Sequence, residues 1–334
     1  MLKKPSVLFV LLLAIIGVIF LSLSIGTIRV TPLEVLKSLA GMGSEQSRLI
    51  LFDFRLPRIV LAMLIGAALA LSGAVLQAVS GNDIADPGIL GINAGAGFGV
   101  VLFLWAVQGN SYNELGSLSV LSMPISAIAG AMAASVLVYR LAWKGGITST
   151  RLLLVGVAVH AAFSSALIIV QLKMDDGDFM RATIWLSGSI WGSNWTYVWA
   201  ILPWIVLLIP YVVYKARMLD VLSLGDGLAT GLGVPVERQR RRLLLASVAL
   251  AGAGVAAGGG IAFIGLAAPH LAKRLVGPKH ALLIPASALM GALLLLLADT
   301  IGKNILPPSE IPVGLVISII GAPYFIYLLL RSKS

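Results

Sequence analysis

No cysteine occurs in the chain, which excludes disulfides, thiolate metal sites and a cysteine nucleophile. Ionisable side chains are also scarce. Asp, Glu, Lys and Arg make up 11% of the 334 residues, with three histidines, too few to clothe a soluble surface of that size. The motifs of common catalysts are missing: there is no HExxH helix, no GxSxG elbow and no GxxxxGK[ST] phosphate loop. Gly258-Gly259-Gly260 therefore reads as a helix contact. The centres of the apolar runs hold almost no charge, which argues against an ion-coupled carrier, because such carriers keep charged relays in the membrane.

What is abundant is apolar sequence, 59% of residues, with a mean hydropathy of +1.00. The pattern predicts an all-α polytopic membrane protein, since a helix crosses hydrocarbon with roughly 20 apolar residues. Ten spans are expected: Val7–Ile25, Ile59–Val79, Gly91–Val107, Leu121–Ala142, Leu152–Leu172, Tyr197–Tyr214, Leu243–Ile261, a short element from Ile261 to Arg274, Ala281–Ala298 and Pro312–Leu330. The first begins like a signal peptide but is read as a retained helix, because further spans follow at once. Thr31-Pro32-Leu33-Glu34 predicts a capped short helix at the outer interface, and Pro269 a break or kink in the eighth element. Trp185, Trp191, Trp195 and Trp199 mark a headgroup level near the sixth span.

An even number of spans puts both termini on one side, and charge decides which. With the termini cytoplasmic, sixteen Lys and Arg lie inside against eight outside, while five acids lie inside and nine outside. Lys and Arg resist translocation, so the formal +10 is a topology signal, not a nucleic-acid footprint. Much of it sits in one loop, Lys215 to Arg242, between the sixth and seventh spans. Its middle, from Leu219 to Leu232, reads as two short helices joined by a glycine bend, too short to stand alone and so packed on something. A solvated basic loop and a docking surface for a cytosolic partner are both compatible with it.

Three other features hold polar groups. His160 falls midway along the fifth span, either as a helix-interface hydrogen bond or as a functional group. Asp175, Asp176 and Asp178 form an acidic outer segment, read chiefly as a solvated face, with a metal site the lesser reading. The break Gly81-Asn82-Asp83-Ile84-Ala85-Asp86-Pro87-Gly88 is either a plain turn or a gating loop. The chain can form a path but shows no energy source, so a partner supplies the energy or the protein is a channel. A secondary carrier using His160 and Asp299, and a membrane scaffold, are the competing readings.

Many separate segments carry a resemblance. They include RLPR (Arg55 to Arg58), GAALALSGAVLQ (Gly66 to Gln77), NDIADPGILGINAGAG (Asn82 to Gly97), TRLLLVGVA (Thr150 to Ala158), GLAAPHLAKRLVGPKH (Gly265 to His280) and IPVGLVISIIGAPYFIYLLL (Ile311 to Leu330). With LLIPASALMGA and LAD between the last two, they cover nearly the whole chain. The sequence resembles the FecCD family, the permease subunits of type II ABC importers for ferric siderophores, haem and cobalamin.

The resemblance implies one transmembrane permease domain over residues 1–334, in a prokaryotic plasma membrane. It implies pairing with an identical or homologous permease, two cytosolic ABC ATPases that hold the ATP and magnesium, and an extracytoplasmic binding protein that delivers a ferric siderophore. This chain would hold no cofactor, metal or catalytic residue itself. Coupling to the ATPase would fall on Leu219, Leu222, Gly225, Asp226, Leu228, Gly231 and Gly233. Docking of the binding protein would fall on Arg55, Arg58 and Lys303, the last a Lys where a relative has Arg, which loses the bidentate fork. Asn82, Ile84, Ser149 and Thr150 match cytoplasmic gate positions. Asp83 stands where the family usually has Pro, which removes a rigid residue from the gate and adds an anionic group.

Overall fold

The computed structural model describes residues 4–331 except 27, 29, 89, 108–116, 145–147, 191 and 308; within helices, the side chains of 4, 5, 39, 117–121, 149, 327–329 and 331 are also left undescribed. Trp191 thus lies outside the described residues. Fifteen α-helices follow in order among the described residues: α1 (Lys4–Ser24), α2 (Pro32–Leu39), α3 (Glu45–Leu49), α4 (Leu56–Ser80), α5 (Ile92–Ala106), α6 (Ser117–Ala142), α7 (Ser149–Gln171), α8 (Asp176–Leu186), α9 (Trp195–Tyr214), α10 (Ala216–Leu222), α11 (Asp226–Gly231), α12 (Val236–Gly258), α13 (Ile264–Val276), α14 (His280–Ile305) and α15 (Val313–Arg331). A π-helical turn, Ile50–Arg55, joins α3 to α4. Seven described helices are long and apolar enough to cross a membrane, and Ile92–Ala106 and Val313–Ile326 are shorter apolar helices. The chain is a multi-pass, all-helical membrane protein.

The centre of the fold is α4, whose most apolar stretch is 83% buried, against 17% for that of α7. Small residues make this possible. A methyl group on Gly66 would lie 2.3 Å from the Gly291 carbonyl oxygen, and one on Gly73 would lie 1.8 Å from the Gly265 oxygen. Both distances are far inside contact, so α4 touches α14 and α13 backbone to backbone. On another face, Ser72 and Ser247 exchange hydrogen bonds to each other's carbonyl oxygens at 2.7 and 2.9 Å, both side chains fully buried. That pair satisfies four polar atoms and ties α4 to α12 without a charge.

Pro269 lies inside α13 and does not break it. A proline there leaves the carbonyl four residues earlier, that of Gly265, without its helical donor. Gln77 of α4 fills the gap: its Nε2 donates to the Gly265 oxygen at 3.2 Å. The helix continues because its neighbour supplies the missing bond.

The short helix α2 has the expected cap. Glu34 N–H donates to Thr31 Oγ1 at 3.3 Å and Thr31 N–H to Glu34 Oε2 at 3.0 Å. The acidic segment from Lys173 to Arg181 is more ordered than a solvated loop. Asp175 caps α8, accepting from Asp178 N–H at 2.8 Å, and Arg181 reaches Asp178 at 3.3 Å. Carboxylates in a first turn favour helix by opposing its dipole. Among the described residues no group of three or more His, Asp or Glu is arranged to hold a metal.

Replacing Gly66 by Val should prevent the α4–α14 contact. Overpacking of this kind costs about 1–3 kcal/mol or more, so a lowered melting temperature and loss of a monodisperse peak in detergent are expected. The check is thermal unfolding followed by size-exclusion chromatography; a Gly66→Val protein as stable as wild type would contradict the close approach.

Candidate functional site

Polar groups gather at the two ends of the helices, where the sequence had placed its candidates. At one end, where α4 begins, Arg55, Arg58 and Lys303 line one cavity of about 500 Å³ together with Gln46 and Glu310. Arg55 donates to the carbonyls of Leu23 and Ile28. Lys303 donates to the carbonyl of Ser22 at 2.9 Å and to its hydroxyl at 2.7 Å. Two cations therefore meet the C-terminal end of α1, where unpaired carbonyls and the helix dipole favour positive charge.

Arg58 pairs with two carboxylates. Its Nε lies 3.0 and 3.1 Å from the two oxygens of Asp299, and its Nη2 2.7 Å from Oδ1. Its Nη1 reaches Glu310 at 2.7 Å. Asp299 is 1% exposed, so the fork of Arg58 neutralises a buried carboxylate. The ion-coupling reading of Asp299 loses its footing here, because the group is held in a structural pair. The partnership was missed from the sequence, although RLPR opens one span and LAD closes another on the same side.

At the opposite end the break after α4 is a built turn. Asn82 Oδ1 accepts from Ile84 N–H at 3.0 Å, and the Asn82 carbonyl from Ala85 N–H at 3.1 Å. Asp83 is paired with Lys273 of α13, whose Nζ lies 2.8 Å from both carboxylate oxygens. Nearby, Asp220 of α10 accepts from the backbone N–H of His280 at 2.9 Å and lies 2.7 Å from its Nδ1. These groups line a cavity of about 600 Å³ that brings together the turn, α10, and the facing ends of α13 and α14. Lys273, Asp220 and His280 were not singled out in the sequence. Of the remaining candidates in this region, Thr150 is exposed in the first turn of α7, and the side chain of Ser149 lies outside the described residues.

The segment between α9 and α12 forms the expected pair of short helices, α10 and α11. Gly225 sits at φ 94°, a conformation open to glycine, and makes the bend. Leu219, Leu222 and Ala229 are buried and anchor the pair. Asp226 is held by Arg240 at 2.6 Å, and Lys215 by Gln239 at 3.2 Å. Leu224, Leu228 and Leu232 are each more than half exposed, and no neighbour lies within contact of a methyl placed on Gly227, Gly231 or Gly233. The result is an anchored base with an unoccupied apolar outer face. His160 projects from the middle of α7 toward a separate cavity and is exposed within the chain.

A profile described as the FecCD transport family matches residues 12–331. The chain belongs to that family. It is 56% identical over 331 residues to the iron(3+)-hydroxamate import system permease protein FhuG of Bacillus subtilis, covering 99% of this chain and 98% of the relative. It is 41% identical over 333 residues to the iron-uptake system permease protein FeuC of the same organism, again covering 99% and 98%. Among solved structures it is similar to a metal-chelate-type ABC transporter in an inward-facing conformation, with a TM-score of 0.83 at 29% identity, covering 98% of this chain and 99% of that one. The FecCD chain is thus a membrane permease component of an ABC import system, and ATP hydrolysis is the work of other subunits.

Breaking the Arg58–Asp299 pair should destabilise this permease. Asp299→Ala leaves Arg58 without its partner on Asp299, an effect of about 3 kcal/mol for a buried pair. Asp299→Leu combined with Arg58→Met should lose less stability than the sum of the single changes. A double-mutant cycle of melting temperatures in detergent checks this, and strict additivity would show that the pair carries no coupling.

Proposed function

We propose that this chain is one of two permease subunits of an ATP-driven importer that carries a ferric siderophore across a prokaryotic plasma membrane. Residues 1–334 form one ten-span domain, with both termini on the cytosolic face. The seven long helices, the two shorter apolar ones and α13 supply the ten. The second permease is an identical or homologous chain, and the path runs between the two. The printed names of the relatives, iron(3+)-hydroxamate and iron uptake, support an iron chelate as cargo.

The observation that carries the reading is the α10–α11 pair, with its buried base and its exposed Leu224, Leu228 and Leu232. Exposed leucines on a basic cytosolic loop have no reason to remain uncovered. A cleft on an ATPase subunit covers them, with Gly225, Asp226, Gly231 and Gly233 shaping the inserted segment and Leu219 and Leu222 rooting it in the membrane domain. Nucleotide-driven movement of that cleft then reaches the inner cavity, since α10 holds His280 through Asp220 and the Asn82–Ile84 turn lies across the same space. In the cytoplasmic gate, Asp83 with Lys273 gives the turn an electrostatic brace, and Ser149 and Thr150 open the facing helix.

At the outer end, a binding protein presents acidic groups to Arg55, Arg58 and Lys303. Part of their positive charge is already engaged, with carbonyls of α1 or with Asp299 and Glu310, so docking adds partners to a preformed cluster and needs no rearrangement of free side chains.

Two substitutions separate the faces. Leu228→Asp should abolish co-purification of the ATPase, or reduce it at least about ten-fold as expected for a buried charge in an interface core, while leaving binding-protein affinity unchanged. Arg55→Glu should do the reverse, weakening binding-protein affinity about ten-fold with the ATPase retained. Uptake of labelled ferric chelate into liposomes with and without ATP, beside both affinities, reads the outcome. Uptake that proceeds without ATP, or an ATPase that stays bound to Leu228→Asp with wild-type affinity, would sink the reading.

A further inference from the structure

The cavity below His160 has a composition unlike the two end cavities. It has a volume of about 360 Å³ and is lined by Asp86, Asn93, Val157, His160, Phe263 and Phe325, among others. None of its lining residues is Lys or Arg, whereas the outer and inner cavities hold three and two such residues. Its polar wall consists largely of acceptors. Asp86, 7% exposed, offers a carboxylate whose Oδ2 already takes Gly88 N–H at 2.8 Å. Asn93 spends its amide on the Ile261 carbonyl at 3.2 Å, and its Oδ1 is buried with no hydrogen-bond partner among the described residues. A buried acceptor left in that state is costly unless a guest or water supplies a donor.

Position adds to composition. His160 is midway along a membrane-spanning helix and exposed within this chain; an imidazole in that place faces a polar space or a partner and not lipid tails. Asp86 and Gly88 belong to the segment that continues the Asn82–Ile84 turn, so the proposed gate forms the inner wall. On the other side stands Phe263, a bulky residue held at φ 65°, a conformation that costs about 1–3 kcal/mol and persists only where the surroundings impose it. Gly321 admits it, since a methyl there would lie 2.7 Å from Phe263 Cβ, and the Phe325 ring sits 6.3 Å away centre to centre.

We infer that this cavity is a passage subsite for the cargo and that its charge pattern selects the class of chelate: one that is uncharged or cationic and bears amide or hydroxyl donors, not a polyanionic one. Acceptors meet the donors, the two phenyl rings meet the organic skeleton, and the carboxylate of Asp86 opposes negative charge in a low-dielectric space. The inference rests on the importer reading and assigns His160 to the wall of its path.

The absence of cysteine makes the test direct. His160→Cys gives this chain a single thiol, to be probed in the purified complex in nanodiscs. Its reaction with a trimethylammonium-ethyl and a sulfonatoethyl methanethiosulfonate is followed by the mass of this subunit, and each rate is divided by that of the same reagent with 2-mercaptoethanol. The expected result is labelling by the cationic reagent with a preference of about five-fold or more, lost when Asp86→Asn is added. A thiol inert to both reagents, as in lipid or a packed interface, or one labelled as fast by the anion, would overturn the inference. Should Asp86→Asn fail to assemble, the ratio from His160→Cys alone decides. ATP-driven uptake by the wild type in parallel vesicles is a separate readout: charge-selective labelling without such uptake rejects the importer reading and leaves a cation-preferring cavity standing.

Discussion

Two helices reach backbone contact only where neither carries a side chain, and α4 does so twice along its length. At Gly66 it meets Gly291 of α14, and at Gly73 it meets Gly265 of α13. No driving force from water exists between helices in a bilayer, so packing and a few polar contacts hold the fold together. The reciprocal serine bonds to α12 and the Gln77 bond to α13 are those polar contacts in the middle of the bundle. Each joins α4 to a different neighbour, which explains why α4 is so deeply buried while α7 and α9 keep most of their surface open.

The chemistry of the molecule is pushed to its ends. At one end Arg55 and Lys303 attend to α1 and Arg58 to two carboxylates; at the other, Lys273 and His280 pair with Asp83 and Asp220. Between them the described helices offer mostly uncharged surface, with Asp86 and His160 as the polar exceptions at one cavity. An ABC importer draws its energy from nucleotide outside the bilayer, so its permease needs no charged relay at mid-depth. A secondary carrier would need one, and of the two residues that reading used, His160 and Asp299, the second is held in an ion pair with Arg58.

Much of this was readable from the amino-acid order because the bilayer imposes a simple rule. A span read as Ile59–Val79 is the helix Leu56–Ser80, and the bend at Gly225 falls where glycine punctuation placed it. What was not readable depends on distance along the chain. Arg58 and Asp299 are 241 residues apart, and nothing local to either announces the other. Pro269 was expected to break or kink its helix; that the helix runs on through it depends on Gln77, on a helix nearly two hundred residues earlier. The capped helix α8 was overlooked for a different reason: three aspartates close together read as a solvated face, whereas the spacing of Asp175 and Asp178 is that of a cap and its first turn.

The loan of a hydrogen bond from Gln77 to α13 has a kinematic consequence. One rung of α13's ladder is owned by α4, so α13 cannot roll about its axis without dragging α4 or vacating a buried carbonyl. Sliding is restricted too, by the missing side chains at Gly73 and Gly265. The two helices are geared together. The segments flanking α13 carry Gly259 at φ 72° and Gly277 at φ 86°, settings that favour glycine, so the coupled pair is bounded at both ends by backbone no other residue type holds as easily.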